Sequence, residues 1–209
     1  MALDGAPFTY RAGQAASIAV GPGEPATPYS IASAPAETAA TGYLEFLVKV
    51  DGNRFGARIG SLQPGIPLVL SQAMGRFTLP ASAVEHPLLF IAGGTGIAPL
   101  RSMLVELLSG GRHGRIALVY SARTPEEFAY LDELRALDEA GQLALTLTLT
   151  GEAQDWRHAR GRAGDRHLAD LCSSETMAFI CGPPSMVTDI PQALMKLGVP
   201  REQIKTEDW

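Results

Sequence analysis

Residues 88–100, LLFIAGGTGIAPL, combine a strand-like apolar run, a glycine-rich turn and the start of a helix. Such a turn could bind a phosphate, because glycines let the backbone approach closely and the N–H groups and dipole of a helix start attract negative charge. Thr95 adds a hydroxyl, and Pro99 suits the first helical turn, where its missing N–H costs nothing. The dinucleotide fingerprint G-x-G-x-x-G is incomplete, since Pro99 follows Gly94 and Gly96 where the third glycine would stand. On its own, the turn fits both a phosphate site and an ordinary strand-to-helix turn.

The elements that must position this turn differ between the two ends of the chain. Up to about residue 85, glycine and proline recur between short apolar runs such as ASIAV, YLEFLVKV and IPLVLS, a pattern typical of an antiparallel barrel or sandwich. From Pro87 onward, strand patterns alternate with helix patterns, which predicts a parallel sheet with helices on both faces. The stretch LPASAVEHP lies between them, so we predict one domain over residues 1–84 and a second over residues 85–209.

Five strands are expected in the second domain, with the sequences PLLFIAG, RIALVYS, LALTLTLT, TMAFICG and IKTEDW. One helix follows the glycine turn and ends at Gly110, and another closes at Gly198. A capping-box pattern from Thr124 to Glu127 predicts a helix that opens there and carries Phe128. The expected fold is therefore an antiparallel β-barrel followed by an α/β domain with a five-stranded parallel sheet.

Composition excludes several classes of function. The chain of 209 residues has a net charge of −5, which argues against nucleic acid as a partner. No apolar run approaches the ~20 residues of a membrane span, and no secretory signal is visible at the N-terminus. Its two cysteines, Cys172 and Cys181, provide neither a disulfide framework nor a four-cysteine iron–sulfur cluster. We expect a soluble cytoplasmic protein without a metal site.

Three segments in a fixed order give the glycine turn its context. They are PYSIAS at residues 28–33, GGTGIAP at 93–99 and CGPPSMV at 181–187. Together they make the chain resemble the ferredoxin–NADP reductase superfamily, in which GGTGxAP replaces the three-glycine pattern. The resemblance covers nearly the whole chain and implies an N-terminal flavin-binding barrel, a C-terminal NAD(P)H-binding domain, and FAD rather than FMN as the flavin.

The resemblance also implies which residues act at the site. Ser30 would lie near flavin N5 and Cys181 would line the nicotinamide pocket. Glu207 would assist proton movement, and Trp209 would cover the flavin until the nicotinamide displaces it. Cofactor contacts are implied for Thr27, Pro28, Tyr29, Ser30, Gly75, Thr78, Gly93, Gly94, Thr95, Gly96, Arg123, Arg162, Gly182, Pro183, Met186 and Trp209. Without the resemblance, Tyr29 and Ser30 are turn residues, Cys181 is a small core residue and Trp209 packs at the domain interface.

The chain departs from the family pattern on the flavin side. Thr27 stands where most relatives have an arginine for the flavin pyrophosphate, and a charge-assisted hydrogen bond is worth ~1.5–3 kcal/mol. Arg54, Arg58 or Arg76 could substitute for it. The strand that usually precedes FTYRAGQ is also missing, so the barrel is expected to lack its first strand. A second copy of the chain could cover the open edge, forming a homodimer.

The sequence leaves open whether NADPH or NADH donates the electrons and which carrier accepts them. NADPH-specific relatives often have Ser-Arg or Thr-Arg after the third strand, where this chain has Thr150-Gly151. The nearby loop nevertheless contains several arginines, and arginine suits the 2′-phosphate of NADPH. These arginines are Arg157, Arg160, Arg162 and Arg166. The loop alternatively binds no phosphate, or docks an acidic electron carrier.

The leading hypothesis is a reductase that passes electrons from NADPH or NADH through FAD to ferredoxin or flavodoxin. One alternative is a flavin reductase that uses free flavin as a substrate, which Thr27 would favour. Another is an electron-transfer subunit of a larger oxidoreductase, which the missing strand would favour.

Overall fold

The computed structural model describes residues 1–3, 8–50, 63–111 and 114–208. We call the described residues up to Glu85 the N-terminal part and those after it the C-terminal part. The N-terminal part contains an antiparallel sheet of three described strands, in the order β2-β1-β3. Its elements are β1 (Ala15–Ala19), β2 (Thr27–Ser30), helix α1 (Pro35–Thr41) and β3 (Val69–Leu70). Their apolar core contains Ala16, Ile31 and Leu44.

The C-terminal part is built on a parallel sheet whose described strands have the order β7-β6-β5-β4-β8-β9. The strands are β4 (Leu88–Gly93), β5 (Ile116–Ala122), β6 (Ala144–Leu149), β7 (Ala159–Arg160), β8 (Met177–Gly182) and β9 (Ile204–Asp208). The helices are α2 (Ile97–Ser109), α3 (Leu131–Glu139), α4 (Asp165–Leu168) and α5 (Pro184–Lys196). The five predicted strands are present, and the two-residue β7 is a sixth that the sequence pattern did not predict.

Alternate residues of the central strands enter different cores on the two faces of the sheet. Phe90 of β4 packs in one core with residues of α2 and α3, whereas Ile91 packs in the other with residues of α4 and α5. All residues of β4, β5 and β8 are buried, as expected for parallel strands covered on both faces. The cores therefore hold the carboxyl ends of β4, β5 and β8 at one edge.

The helix predicted to open at Thr124 begins later. Residues Pro125–Glu127 form a single 3₁₀ turn, and α3 begins at Leu131 after Tyr130, whose φ is 58°. The expected capping box does not form, because the Glu127 carboxylate accepts the backbone N–H of Arg123 at 3.0 Å. Phe128 therefore lies outside the helix and packs edge-on against the Tyr120 ring.

A 3₁₀ helix, Ala81–Glu85, connects the two parts where the sequence places the domain boundary. Phe77, just before this connection, packs in the core of the C-terminal part, with its ring 5.9 Å from that of Phe179. The boundary at residue 84 remains a prediction. Among the described residues, no helix combines the length and apolar character that crossing a membrane requires.

Candidate active site

The glycine turn lies directly against the end of β8. Ala92 of β4 is paired with Cys181 of β8, so the chain leaves both strands at the same edge of the sheet. A Cβ atom on Gly96 would lie 2.2 Å from the Cys181 carbonyl oxygen, and one on Gly93 would lie 2.8 Å from Cδ of Pro183. Glycine is thus required at both positions for the backbone of the turn to approach β8.

A buried tyrosine hydrogen-bonds to the backbone of the turn. Residues Gly94–Gly96 form a 3₁₀ turn that runs into α2, and Gly94 has a φ of 53°, in the region that favours glycine. The Tyr120 hydroxyl donates to the Gly94 carbonyl oxygen at 3.0 Å. Burial raises the pKa of Tyr120, so its hydroxyl stays a donor. With Thr95 half-buried beside it, the arrangement has the close-approach backbone and helix N-terminus that a pyrophosphate requires.

Ser30 and Glu207 meet across the two parts of the molecule. Glu207 is paired with Cys181 in the β8–β9 ladder, and its Oε2 accepts a 3.4 Å hydrogen bond from Ser30 Oγ at the end of β2. Burial raises the pKa of Glu207 to about 7, assisted by the charge of Asp208 and opposed by the hydrogen bond from Ser30. Glu207 can therefore hold or release a proton near neutral pH.

Cys181 stays a neutral thiol at the base of this site. Its side chain is 2% exposed. Burial raises the pKa of Cys181, and the carboxylates of Glu207 and Asp208 raise it further. The thiol is therefore suited to packing against a ligand rather than to nucleophilic chemistry.

Among the described residues, little borders the Ser30–Glu207 pair on the flavin side. Gly75 has a φ of 99°, and within 4 Å a Cβ there would meet, in the described part of the chain, Glu207 Oε1 alone, at 4.0 Å. The Gln14 amide donates to the Gly75 carbonyl oxygen at 3.2 Å, which holds this turn. Thr78 is half-buried on the same segment. The residues present fit a ring placed beside Ser30 and Glu207.

Known proteins resemble this chain over nearly its whole length. The ferredoxin--NADP reductase B of Sorangium cellulosum (strain So ce56) is 33% identical over 221 residues, which cover 99% of this chain and 88% of that protein. The chain belongs to the ferredoxin–NADP reductase family. The Oxidoreductase NAD-binding domain family also matches residues 90–192. Family membership confirms the predicted fold class and the predicted NAD(P)H-dependent flavoprotein reductase.

Solved structures of the ferredoxin–NADP reductase family have the same fold. The enzyme from Neisseria gonorrhoeae, with bound FAD and NADP, has a TM-score of 0.79 at 26% identity, covering 96% of this chain and 87% of that chain. The flavohem-like FAD/NAD binding domain of nitric oxide dioxygenase from Vibrio cholerae O1 biovar El Tor has a TM-score of 0.82 at 20% identity, covering 97% and 86%. At that identity the second likeness shows the fold alone.

Other relatives in the family are components of monooxygenases. The xylene/toluene monooxygenase electron transfer component XylA of Pseudomonas putida is 32% identical over 169 residues, 78% of this chain and 48% of that protein. The reductase component of propane 2-monooxygenase from Rhodococcus jostii (strain RHA1) is 30% identical over 175 residues, 78% and 46%. The chain therefore spans about half the length of these two relatives.

The predicted flavin-side and nucleotide-side residues lie around the same edge, with some exceptions. Thr27, Pro28 and Tyr29 are on β2, opposite Ile18, Ser17 and Ala16 of β1. A Cβ on Gly182 would lie 2.7 Å from Met186 Sδ, so Met186 packs against the glycines that end β4 and β8. Pro183 occupies the N-cap position of α5. Trp209, Arg54 and Arg58 lie outside the described residues.

The arginines predicted to contact the nucleotide are exposed at the periphery. Arg123 follows β5, and its carbonyl oxygen accepts the N–H of Gly151 at 3.1 Å. Arg162 is exposed on the loop after β7. Arg166 of α4 donates to the carbonyl oxygen of Arg160, at the end of β7. Arg76, the remaining candidate to replace the missing flavin arginine, is also exposed.

Sequence reasoning missed Arg101, the most connected side chain of this region. Only 7% of this residue is exposed, and its guanidinium binds groups from both parts of the molecule. Its signal in the sequence was an arginine within a mostly apolar helical segment, IAPLRSMLVELL. A charged residue that is buried in such a helix needs partners.

Proposed function

We propose that this protein takes hydride from NAD(P)H onto FAD and passes the electrons to a separate acceptor. One observation carries the proposal: the glycine turn, Cys181 and the Ser30–Glu207 pair lie at one edge, linked by the pairing of β4, β8 and β9. This proximity supports a nucleotide site and a flavin site that meet at this edge. FAD and NAD(P)H are the cofactors that this function requires.

On the nucleotide side, the pyrophosphate would be bound by backbone N–H groups rather than by charged side chains. Gly93, Gly94, Thr95 and Gly96 would bind the pyrophosphate through N–H groups at the start of α2. Gly182 and Pro183 would leave room for the nicotinamide above the Cys181 thiol. Positioning of this kind is the main contribution a protein makes to hydride transfer, because the cofactors carry the reaction itself.

On the flavin side, Tyr29 would flank the ring and Gly75 would leave space for it. With Glu207 protonated, Oε2 would donate to Ser30 Oγ, and Ser30 would donate its own hydroxyl to the ring edge. Trp209 would cover the ring until nicotinamide arrives. When bound, FAD supplies two-electron chemistry toward nicotinamide and one-electron chemistry toward a carrier.

A soluble carrier such as ferredoxin or flavodoxin is the acceptor we favour, since the relative covered over 88% of its length is named a ferredoxin–NADP reductase. The relatives from Pseudomonas and Rhodococcus are named as electron-transfer or reductase components of monooxygenases, so a monooxygenase component is the corresponding acceptor there. Free flavin as the acceptor is a second candidate, because Thr27 provides no charge for the FAD pyrophosphate.

The visible spectrum of the purified, desalted protein separates these functions. A yellow protein that reduces added ferredoxin or flavodoxin with NAD(P)H supports the proposal. A colourless protein that oxidises NAD(P)H only when free flavin is added would support the flavin reductase instead. A protein that neither retains nor reduces flavin with either nucleotide would overturn both.

A further inference from the structure

Helix α2, which begins at the glycine turn, is attached to the N-terminal part by two consecutive side chains. Arg101 Nη1 donates to the Ala32 carbonyl oxygen at 3.0 Å, and Ser102 Oγ donates to the Ser33 carbonyl oxygen at 2.6 Å. Ser102 is completely buried. Both acceptors stand shortly after Ser30 on the segment that leaves β2. Helix α2 is therefore joined to the segment after β2 at a point that is a few residues from the glycine turn and a few residues from Ser30.

The Arg101 guanidinium is surrounded by carboxylates from both parts. We call Arg101, Glu37, Glu45, Glu133 and Tyr130 the Arg101 cluster. The Glu37 carboxylate of α1 accepts two hydrogen bonds, one from Nη1 and one from Nη2, each at 3.1 Å. Glu45 Oε2 lies 3.8 Å from Nη1. Glu133 of α3 accepts from Nε at 2.8 Å. The guanidinium also lies 4.7 Å above the ring of Tyr130, a cation–π contact.

The cluster depends on arginine at its centre. Burial lowers the pKa of Arg101, but hydrogen bonds and charge interactions with Glu133 and Glu37 raise it above the ordinary value overall. The planar fork serves several acceptors at once, which a lysine ammonium on its flexible stem cannot reproduce. Glu37 and Glu45 belong to the N-terminal part, whereas Glu133 and Tyr130 belong to the C-terminal part. Tyr130 also donates across the junction to Glu45 at 2.9 Å.

We propose that Arg101 is a positioning residue that sets the gap between the glycine turn and the Ser30–Glu207 pair. The inference rests on the proposed function, because that gap is where the two rings would meet. Arg101 lies about one turn into α2, roughly 6 Å along the helix axis from Ile97. Fixing Arg101 and Ser102 against Ala32 and Ser33 therefore fixes the start of α2 relative to Ser30. The Arg101 guanidinium bonds to Ala32, Glu37 and Glu133, which are not among the residues proposed to contact the cofactors.

Glu37 and Glu133 offer a matched pair of variants. Their side chains are 32% and 34% exposed and bind the same guanidinium, but only Glu37 crosses between the two parts. Glu37→Gln places an amide N–H₂ against one arm of the fork, while its amide oxygen can still accept the N–H of Ala34. Glu133→Gln keeps an oxygen for its single bond with Nε. The first variant should loosen the junction, and the second should not.

The kinetic test measures reduction of the flavin-loaded protein by NADPH and NADH in stopped flow. Glu37→Gln should slow hydride transfer roughly tenfold, since small misplacements of reacting groups have large effects on rate. Its nucleotide Kd and flavin content should stay within about twofold of the parent, because neither binding loop is altered. The primary isotope effect with 4-deuterated nucleotide should persist or increase. Glu133→Gln should match the parent in every measurement, and equal slowing by the two variants would overturn the proposal.

Hydrogen exchange of the same proteins tests the junction independently of catalysis. Glu37→Gln should speed amide exchange in both residues 32–38 and residues 97–104, whereas Glu133→Gln should leave the first segment unchanged. Unaltered exchange at both segments in Glu37→Gln would contradict the positioning role. If neither nucleotide reduced the parent protein, the proposed function would be wrong. Hydrogen exchange of the same variants would still show whether the Arg101 cluster joins the two parts. Arg101→Lys should reproduce the Glu37→Gln pattern, with larger changes.

Discussion

At the scale of single residues, burial affects Glu207 and Cys181 differently although they are paired across β8 and β9. The thiol is already neutral at physiological pH, so a raised pKa only confirms that state. The carboxyl group instead comes to titrate near neutrality, with a pKa of about 7 against an ordinary 4.5. Glu207 is therefore the group at this site whose charge changes within the physiological range.

Glu207→Gln should make stability less sensitive to pH. Between pH 4.5 and about 7 the folded protein holds a proton on Glu207 that the unfolded chain has lost. The Glu207 contribution to stability is therefore greatest below that window and is lost as the pH rises through 7. Thermal unfolding should show Glu207→Gln and the parent with similar melting temperatures at pH 5 and the variant more stable at pH 8.

Glu202→Gln is the control for that experiment, because Glu202 is an exposed carboxylate just before β9. Its melting temperature should follow that of the parent at both pH values. A constant difference between Glu207→Gln and the parent from pH 5 to pH 8 would contradict the titration of Glu207 in this window.

Cys181→Ser should slow flavin reduction while leaving flavin content unchanged. A buried serine hydroxyl needs a hydrogen-bond partner and is shorter than a thiol, so the surface below the nicotinamide changes. We expect a decrease of roughly tenfold in the reduction rate at saturating nucleotide. Cys172→Ser, at the chain's other, half-buried cysteine, should reduce at the parental rate. Equal rates for both variants would remove Cys181 from the site.

Single residues also show how far the sequence could predict this site. Gly93, Gly96 and Gly182 belong to short motifs whose spacing carries the information, and the structure places Gly182 beside both Gly93 and Gly96. Arg101 could not be found in this way. Its bonds to Glu133 and Glu37 span 32 and 64 positions of the chain, and no local pattern links residues so far apart.

At the scale of elements, the contact between the glycine turn and β8 should tolerate no side chain. Gly96→Ala would place a Cβ 2.2 Å from the Cys181 carbonyl oxygen, so the turn or the strand must shift. We expect a loss of roughly 1–3 kcal/mol in the free energy of unfolding, which is usual for overpacking, together with weaker NAD(P)H binding. Chemical denaturation and nucleotide titration measure the two effects.

Gly110→Ala provides the comparison at the other end of the same helix. Its φ is −76°, and the nearest described atom to a Cβ there would lie at 3.4 Å, an ordinary contact. This variant should be as stable as the parent and should bind nucleotide equally well. If Gly96→Ala behaved like Gly110→Ala, the close packing of the turn against β8 would be wrong.

The exposed loop after β7 should decide between the two nucleotides. Arg162→Gln should raise the KM for NADPH roughly tenfold, because a charge-assisted hydrogen bond to the 2′-phosphate is worth ~1.5–3 kcal/mol. The KM for NADH should not change, since NADH has no 2′-phosphate. Arg135→Gln, at an exposed position of α3, serves as the control. Parallel changes for both nucleotides would exclude a 2′-phosphate contact at Arg162.

Some secondary-structure elements could be predicted from the sequence and others could not. The five long strands could be predicted, because β4, β5 and β8 read as continuous apolar runs. The start of α3 could not, because Glu127 caps the backbone of Arg123 and Phe128 packs against Tyr120 instead of continuing a helix. The short β7 pairs through only two residues, Ala159 and Arg160, and leaves no periodic signal.

At the scale of the whole molecule, two differently built parts share one functional edge. The N-terminal part contributes Ser30 and the open space at Gly75, and the C-terminal part contributes the glycine turn, Cys181 and Glu207. Two contacts, Phe77–Phe179 and the Arg101 cluster, join the parts. The proposed catalytic geometry therefore belongs to the junction rather than to either part alone.

Anaerobic titration of the flavin-loaded protein with NADPH and NADH tests this shared edge most directly. If the glycine turn and the Ser30–Glu207 pair border one space, stoichiometric nucleotide should remove the visible absorption of the flavin, and the reduction should be fast. A protein that binds both FAD and nucleotide, and whose flavin is reduced by dithionite but by neither nucleotide, would contradict it.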